Sequence, residues 1–494
     1  MSMPFILLLV GILTVVGGII WLRLHAFLAL TLAALFVGVL TPSHLLQKHF
    51  IEEKGKSIKE AEVLAEKNIG SRLAEGFGRT SGKIGILIAM AAIIGTCLME
   101  SGGALRIVRS ALSLLGEKKA PEALAGSSFL LGIPIFFDTL FYLMIPLAKA
   151  LTAQTRKNYA LYVMAIVAGG AMTHSLVPPT PGPLIVAGEL GVDLGRMIVG
   201  GILVGLVGMT GAFIYARWFN RKYPIELRDN PNEKESKFIK LAKTPDDELP
   251  TLLSSLLPIL IPVILLAGKS LLLPFSESLH ENGLNGLLNL FTLLGDKNIA
   301  LTLGALLALH QLMKSRLSSK INLSESVKSS LQSAGVIILI TGMGGAFGGI
   351  LQQTSLGLDV AHFVSSQEFG PLAILMVAYF TTSVIRIAQG SGTVAMVTSI
   401  GIIGGLVEQG IDIHPVYLAL AIGCGVKPIP WMNDSGFWVV QRLSGFTEKE
   451  TLKTWSVLLT AISLLGLVQI LAFSKILPFK SESNPAQEAA LIVQ

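Results

Sequence analysis

Long apolar runs recur from one end of this chain to the other, and they constrain its fold more than any other feature. Residues 5–22, 24–41, 84–99, 194–216, 252–273 and 456–473 are each close to the length a helix needs to cross a bilayer core. Only 14% of the 494 residues are charged and the mean hydropathy is +0.67, whereas soluble chains carry about a quarter charged residues. The opening MSMPFILLLVGILTVVGGIIW lacks a basic n-region and a small-residue cleavage pattern, so a retained first helix is expected rather than a signal peptide. Cys97 and Cys424 fall in apolar segments, which argues against a disulfide framework or a thiolate metal site. No metal, cofactor or nucleic acid is expected. The net charge of +6 comes from Lys and Arg in the short connections between spans.

A second feature is an internal repeat of about 250 residues. IIGTCLMESGGAL (93–105) lines up with AFGGILQQTSLGL (346–358), and SFLLGIPIFFDTLFYLMIPL (128–147) with TSVIRIAQGSGTVAMVTSIG (382–401). YVMAIVAGGAMTHSLVPPTPG (162–182) falls opposite LALAIGCGVKPIPWMNDSGFW (418–438). In the first copy, 3–21, 24–41, 83–104 and 194–219 read as spans and 158–190 as a broken span. Residues 123–150 have Ile133-Pro134 and Asp138 near the middle, with apolar arms of about a dozen residues, and read as a re-entrant hairpin. Five crossings per copy turn the second copy upside down. The expected fold is therefore an all-α polytopic membrane protein, an inverted repeat of two five-span units, each with a re-entrant hairpin and a broken helix. The first repeat covers 1–219, a cytoplasmic linker 220–250, the second repeat 251–478 and a tail 479–494.

Charge orients this plan. Arg106, Arg109, Lys118, Lys119, Lys149, Arg156, Lys157, Arg217, Arg221 and Lys222 fall on one side, while connections 353–370 and 407–414 on the other contain no Lys or Arg. Positive charge marks the cytoplasm, so both termini are expected in the periplasm. Residues 42–83 disagree, with eight Lys/Arg and six Glu. Ile58, Ala65, Ile69, Leu73 and Phe77 suggest a helix lying on the membrane surface there.

Carriers of this plan bind substrate where hairpin tips and broken helices meet, because helix ends and unpaired backbone groups are available there. Four segments qualify: 132–139, 173–183, 386–393 and 427–435. They hold nearly all the ionisable residues at depth, namely Asp138, His174, Arg386, Lys427 and Asp434, and such residues usually mark a pathway, relay or ligand. The plainer alternative is a structural ion pair, for instance Arg386 with Asp434. The prolines 178, 179, 181 and 183 end a helix, yet also leave backbone groups to be met by protein, water or substrate. Expected substrate-binding residues are Arg386, Gly390, Ser391, Thr393, Asn433, Asp434, Pro134, Phe137, Thr173, Pro179 and Gly182. Arg386 is assigned to a substrate carboxylate, which its planar fork can grip with two bonds. Asp138 or Asp434, and after them His174, are the candidates for the coupled proton. No catalytic residue is expected: His174-Ser175 are neighbours that point apart on a helix, and no HExxH or GxSxG occurs.

At these segments the chain resembles the gluconate permease (gluconate:proton symporter) family of the ion transporter superfamily. The matching pieces are Glu100-Ser101-Gly102-Gly103-Ala104, GIPIFFDTLFYLMIPL (132–147) and His174-x-x-x-Pro178-Pro179-x-Pro181-Gly182-Pro183. Further on come Gln389-Gly390-Ser391-Gly392-Thr393-Val394-Ala395 and Asn433-Asp434-Ser435-Gly436-Phe437-Trp438. The resemblance spans about residues 75–470 and implies uptake of gluconate, or a related aldonate or glycerate, with protons across a bacterial inner membrane. The absence of a Ser-Asn-Thr signature at the hairpin tips, which the sodium-coupled dicarboxylate relatives carry, favours protons. Partners expected are a small organic anion, protons and the lipid bilayer, with a homodimer as the assembly. Thr180, Pro430-Trp431-Met432 and Lys427 depart from the family pattern, Lys427 as an added charge. The alternatives are a carrier of another organic anion such as a di- or tricarboxylate, an intramembrane enzyme and a channel.

Overall fold

The computed structural model describes residues 3–155, 157–228, 244–281, 284–315, 323–355, 371–407, 413–432 and 434–476. Residues 229–243 of the linker, the tail, connection 353–370 from 356 onward, much of 407–414, Arg156 and Asn433 lie outside the described residues. Among the described residues the secondary structure is helical, with no strand. The apolar runs become helices because helix-compatible apolar residues dominate them, and the run 252–273 stays helical even through Pro258 and Pro262.

In chain order the first half contains α1 (Met3–Ile20), α2 (Ala26–Leu40), α3 (Ser43–Lys48), α4 (Ile58–Ala65), α5 (Ile69–Glu100) and α6 (Gly103–Leu115). Then follow α7 (Ala120–Leu131), α8 (Phe137–Thr155), α9 (Tyr159–Leu176), α10 (Pro181–Glu189) and α11 (Leu194–Lys222). The second half contains α12 (Leu252–Leu272), α13 (Asn285–Leu294), α14 (Lys297–Lys314), α15 (Leu323–Gln352) and α16 (Pro371–Gln389). It ends with α17 (Gly392–Val407), α18 (Pro415–Gly425), α19 (Ser435–Ser444) and α20 (Val457–Ile476).

Among the described residues, six helical stretches are long and apolar enough to cross a membrane: 69–100, 159–189, 194–222, 252–272, 323–352 and 448–476. Two more qualify if the pairs bent by 97° after Leu40 and by 75° after Leu294 each count as one. Of the ten crossings expected, α1 and the split element α18–α19 fall short on length. The hairpin arms are unequal. The first, α7, has 12 residues, whereas α8 has 19 because the helix continues through Pro146 and Lys149 into its polar end.

The surface helix expected in 42–83 is only partly present. Ile58 lies on a short helix and is 65% exposed. Ile69, Leu73 and Phe77 instead belong to the first turns of α5, where they pack on a core of α1, α2 and α15 that includes Leu7, Val37 and Phe347. Burying that apolar stripe between helices outcompetes laying it on lipid, because a 32-residue helix already carries it into the protein.

Packing follows matched pairs. α5 and α15 lie along one another; α2 sits on α15 and α14 on α5, with α1 on α2 and α12 on α14. Likewise α7 packs on α9 and α16 on α18, α9 on α11 and α18 on α20, and α11 on α20. α9 is the centre of the molecule: all of Tyr159–Leu176 is buried except His174, and 94% of its apolar window is buried against 28% for α12. A helix apolar on every side and covered on every side is a core element, while α12 turns most of its surface outward. At one end of the bundle, Arg106 donates to the Pro250 carbonyl at 2.7 Å and Arg109 to the Thr244 carbonyl at 2.7 Å, so these basic residues hold the end of the linker.

Candidate substrate site

Two hairpin tips and two helix breaks meet around a cavity of about 260 Å³, a volume suited to a small ligand. The tips are 132–136, between α7 and α8, and 390–391, between α16 and α17. The breaks are 177–180 and 426–434. After each interruption a helix begins at the cavity wall. α8 presents Phe137 and Asp138, α10 Gly182, α17 Gly392 and Thr393, and α19 Ser435 and Gly436. Four helix N-termini thus bring the positive ends of their dipoles to one small space, which favours an anion.

Local sequence explains each turn. Gly390 has φ +85°, a left-handed conformation that costs glycine little, and this ends α16 and reverses the chain. Ser391 then caps α17, its Oγ accepting from the Val394 N–H at 3.4 Å. Pro178 and Pro179 cannot continue α9, and Pro181 at the first position of α10 has the φ a new helix needs. The other tip is held from outside. A Cβ on Gly95 of α5 would stand 2.8 Å from the Pro134 carbonyl oxygen, so only glycine permits this approach.

Charge is concentrated on the second-half wall. Arg386 Nη2 pairs with Asp434 Oδ2 at 2.8 Å, with both side chains under 10% exposed, and Arg386 Nε donates to the Val426 carbonyl at 3.1 Å. Asp434 is further held by Trp455 Nε1 at 3.0 Å on Oδ2 and by the Gly436 N–H at 3.0 Å on Oδ1. Breaking a buried pair of this kind from one side typically costs about 3–5 kcal/mol. The ion pair weighed from sequence is therefore present, but it does not exhaust the arginine. Arg386 lines the cavity, and among the described residues its Nη1 is buried without a hydrogen-bond partner. Lys427 reaches across the break and donates its Nζ to the Ala171 carbonyl of α9.

On the first-half wall the Asp138 carboxylate makes no hydrogen bond or ion pair among the described residues, and His174 Nδ1 is likewise without a hydrogen-bond partner. The Phe136 ring meets the His174 ring edge-on at 6.1 Å, and Phe137 lies 5.0 Å from Trp455.

Of the residues expected from sequence, Arg386, Gly390, Ser391, Thr393, Asp434, Phe137, Gly182, Asp138 and His174 all line this cavity. Asn433 lies outside the described residues. Pro134, Thr173 and Pro179 are not on the wall. Pro134 packs on Gly95, and the Thr173 hydroxyl returns to the Gly169 and Gly170 carbonyls of its own helix beside Gly132. Trp455, Ser175 and Met396 line the site without having been singled out. Trp455 comes from the far end of the second half, and nothing in its neighbourhood in sequence marks it. Among the described residues no cluster of His, Cys, Asp and Glu is arranged to hold a metal, and both cysteines are free and buried.

A many-helix membrane bundle whose interrupted helices surround a small charged cavity defines a membrane transporter. The sequence model for the GntP family permease matches residues 58–476, and the chain belongs to this family. It is a multi-pass bacterial inner-membrane permease and not an enzyme. It is 31% identical to an uncharacterized permease of Haemophilus influenzae, over 92% of this chain and 89% of that protein. It is 29% identical to a gluconate permease of Pseudomonas aeruginosa, over 97% and 99%. In fold it is similar to the crystal structure of the Alcanivorax borkumensis YdaH transporter, with a TM-score of 0.57 at 15% identity, covering 83% of this chain and 88% of that one.

Proposed function

We propose that this permease imports gluconate, or a related aldonate or glycerate, together with a proton. The observation that carries the reading is the convergence of four helix N-termini with Arg386 Nη1 and Lys427 on one cavity, a combination that suits a small organic anion. The relative of Pseudomonas aeruginosa named as a gluconate permease, aligned over almost its whole length, supports the sugar acid. Arg386 meets the substrate carboxylate, Ser391 and Thr393 its hydroxyls, and Asp138, whose carboxylate has no hydrogen bond or ion pair among the described residues, takes the proton.

The architecture behind this is an inverted repeat of 1–219 and 251–478 joined by the linker 220–250. The matched packing of α2 on α15 with α14 on α5, and of α7 on α9 with α16 on α18, supports it. The termini face the periplasm, a reading favoured by the grip of Arg106 and Arg109 on the end of the linker. The protein works as a homodimer.

Uptake in proteoliposomes with gluconate, glycerate, fructuronate and citrate tests the reading. Saturable gluconate accumulation driven by an inward proton gradient is expected. Citrate as the preferred substrate, or uptake indifferent to the proton gradient, would refute it. An impermeant thiol reagent in intact cells should fail to label a cysteine placed in the linker, and labelling there overturns the orientation.

A further inference from the structure

Lys427 is the cation in this cavity that makes no ion pair among the described residues. It is 8% exposed, and among the described residues its Nζ has the Ala171 carbonyl as hydrogen-bond partner and no carboxylate within ion-pair distance. Arg386 is different, because Asp434 already neutralises it at 2.8 Å. A long ammonium side chain buried without an ion pair is costly, and it keeps its charge cheaply only where an anion is nearby or visits it. The groups facing it are Arg386 and Asp434 from the second half and Asp138 and His174 from the first.

Counting charge over those groups gives a mechanism. With both aspartates ionised and the histidine neutral, Arg386 and Lys427 balance Asp138 and Asp434, so the empty cavity carries no net charge. Adding a monoanion alone leaves it negative, and adding a proton to Asp138 alone leaves it positive. Adding both restores neutrality. A cavity that must cross a low-dielectric interior in a net-neutral state therefore moves either empty or with both ligands. Remove Lys427 and the balance fails, since the anion then enters a site already negative.

We propose that Lys427 is the fixed counter-charge of the substrate anion, making the carrier neutral both when empty and when loaded with one monoanion and one proton. This rests on the reading of the protein as a proton symporter of a sugar acid, and it goes further by naming the residue that sets the charge of the cargo.

The test uses full-length protein, first in proteoliposomes with a clamped potassium diffusion potential. Wild-type gluconate uptake at fixed proton gradient should change less than twofold between 0 and about −100 mV inside. Uptake that accelerates about tenfold on that step means net positive charge moves with the anion, and overturns the proposal with no variant needed. The second arm is titration calorimetry with gluconate and its uncharged amide. Lys427→Met should shift the ratio of the two affinities at least tenfold toward the amide, while Lys427→Arg keeps the preference for the anion. A lysine that only props up the fold lowers both affinities together, so a ratio within twofold of wild type counts against the assignment. A wild type that rejects gluconate but moves another sugar monoanion refutes the substrate named above, and the same two arms are then read with that acid and its amide. A wild type that moves only dianions or uncharged polyols overturns the role of Lys427 itself.

Discussion

The two halves of the site are built on the same plan and yet differ in what they leave unanswered. In the second half, the helices that start at the cavity are capped by their own chain. Ser391 Oγ accepts from Val394, and Asp434 Oδ1 from Gly436. Its arginine and aspartate neutralise each other. In the first half, α10 has no side-chain cap, because the Thr180 hydroxyl turns back to the Val177 carbonyl at 2.7 Å. Pro181 and Pro183 carry no N–H, which leaves Gly182 as the donor among the first three residues of α10, and it lies on the cavity wall. Asp138 sits in the first turn of α8, on the cavity wall. The Arg386–Asp434 pair of one half is thus settled by its own contacts, while the Asp138 carboxylate of the other has no such partner among the described residues. The difference shows that two tip-and-break pairs of similar layout can carry very different side-chain contacts.

The most severe way to break this comparison is to unsettle the settled half. Arg386→Gln leaves Asp434 buried without its partner and should lower stability by about 3–5 kcal/mol, read as a fall in melting temperature in detergent. Adding Asp434→Asn removes both charges and should recover most of that loss, but not gluconate binding, because Nη1 is gone as well. Substrate affinity restored in the double variant would show that Arg386 serves Asp434 alone.

A narrower intervention targets the open half. Asp138→Asn keeps the shape of the side chain and removes its proton site, so the protein should fold and exchange labelled for unlabelled substrate across the membrane. Accumulation against a gradient should be lost. If Asp138→Asn still concentrates substrate, the proton travels elsewhere, and Asp434 is the next carboxylate to replace.

The smallest effect is expected at Ser391, where a cap and a site residue coincide. Ser391→Ala removes the bond from the Val394 N–H and should cost about 1 kcal/mol of stability. Thr180→Ala in the opposite half removes a hydroxyl that caps nothing, and should change stability less. Equal losses at the two positions, measured by thermal unfolding, would erase the contrast between halves.

Much of this was legible in the residues. Apolar run lengths announced a membrane bundle, and Gly390, Pro178 and Pro179 marked where helices stop, because hydropathy and backbone strain act within a few residues. Asp138, Arg386, Lys427 and Asp434 stood out because an ionisable group in an apolar run is costly wherever the run is placed. What the sequence could not supply were the partners. That Arg386 places one nitrogen on Asp434 and leaves another buried without a partner among the described residues depends on how α16 meets the break before α19. That Trp455 reaches Asp434, that Thr173 turns back into its own helix, and that Leu73 and Phe77 face α15 rather than lipid depend on how distant segments pack. Local chemistry determines where a helix ends and which side chains are expensive to bury. Only the packed structure decides which of those expensive groups neutralise one another and which are left for the ligand.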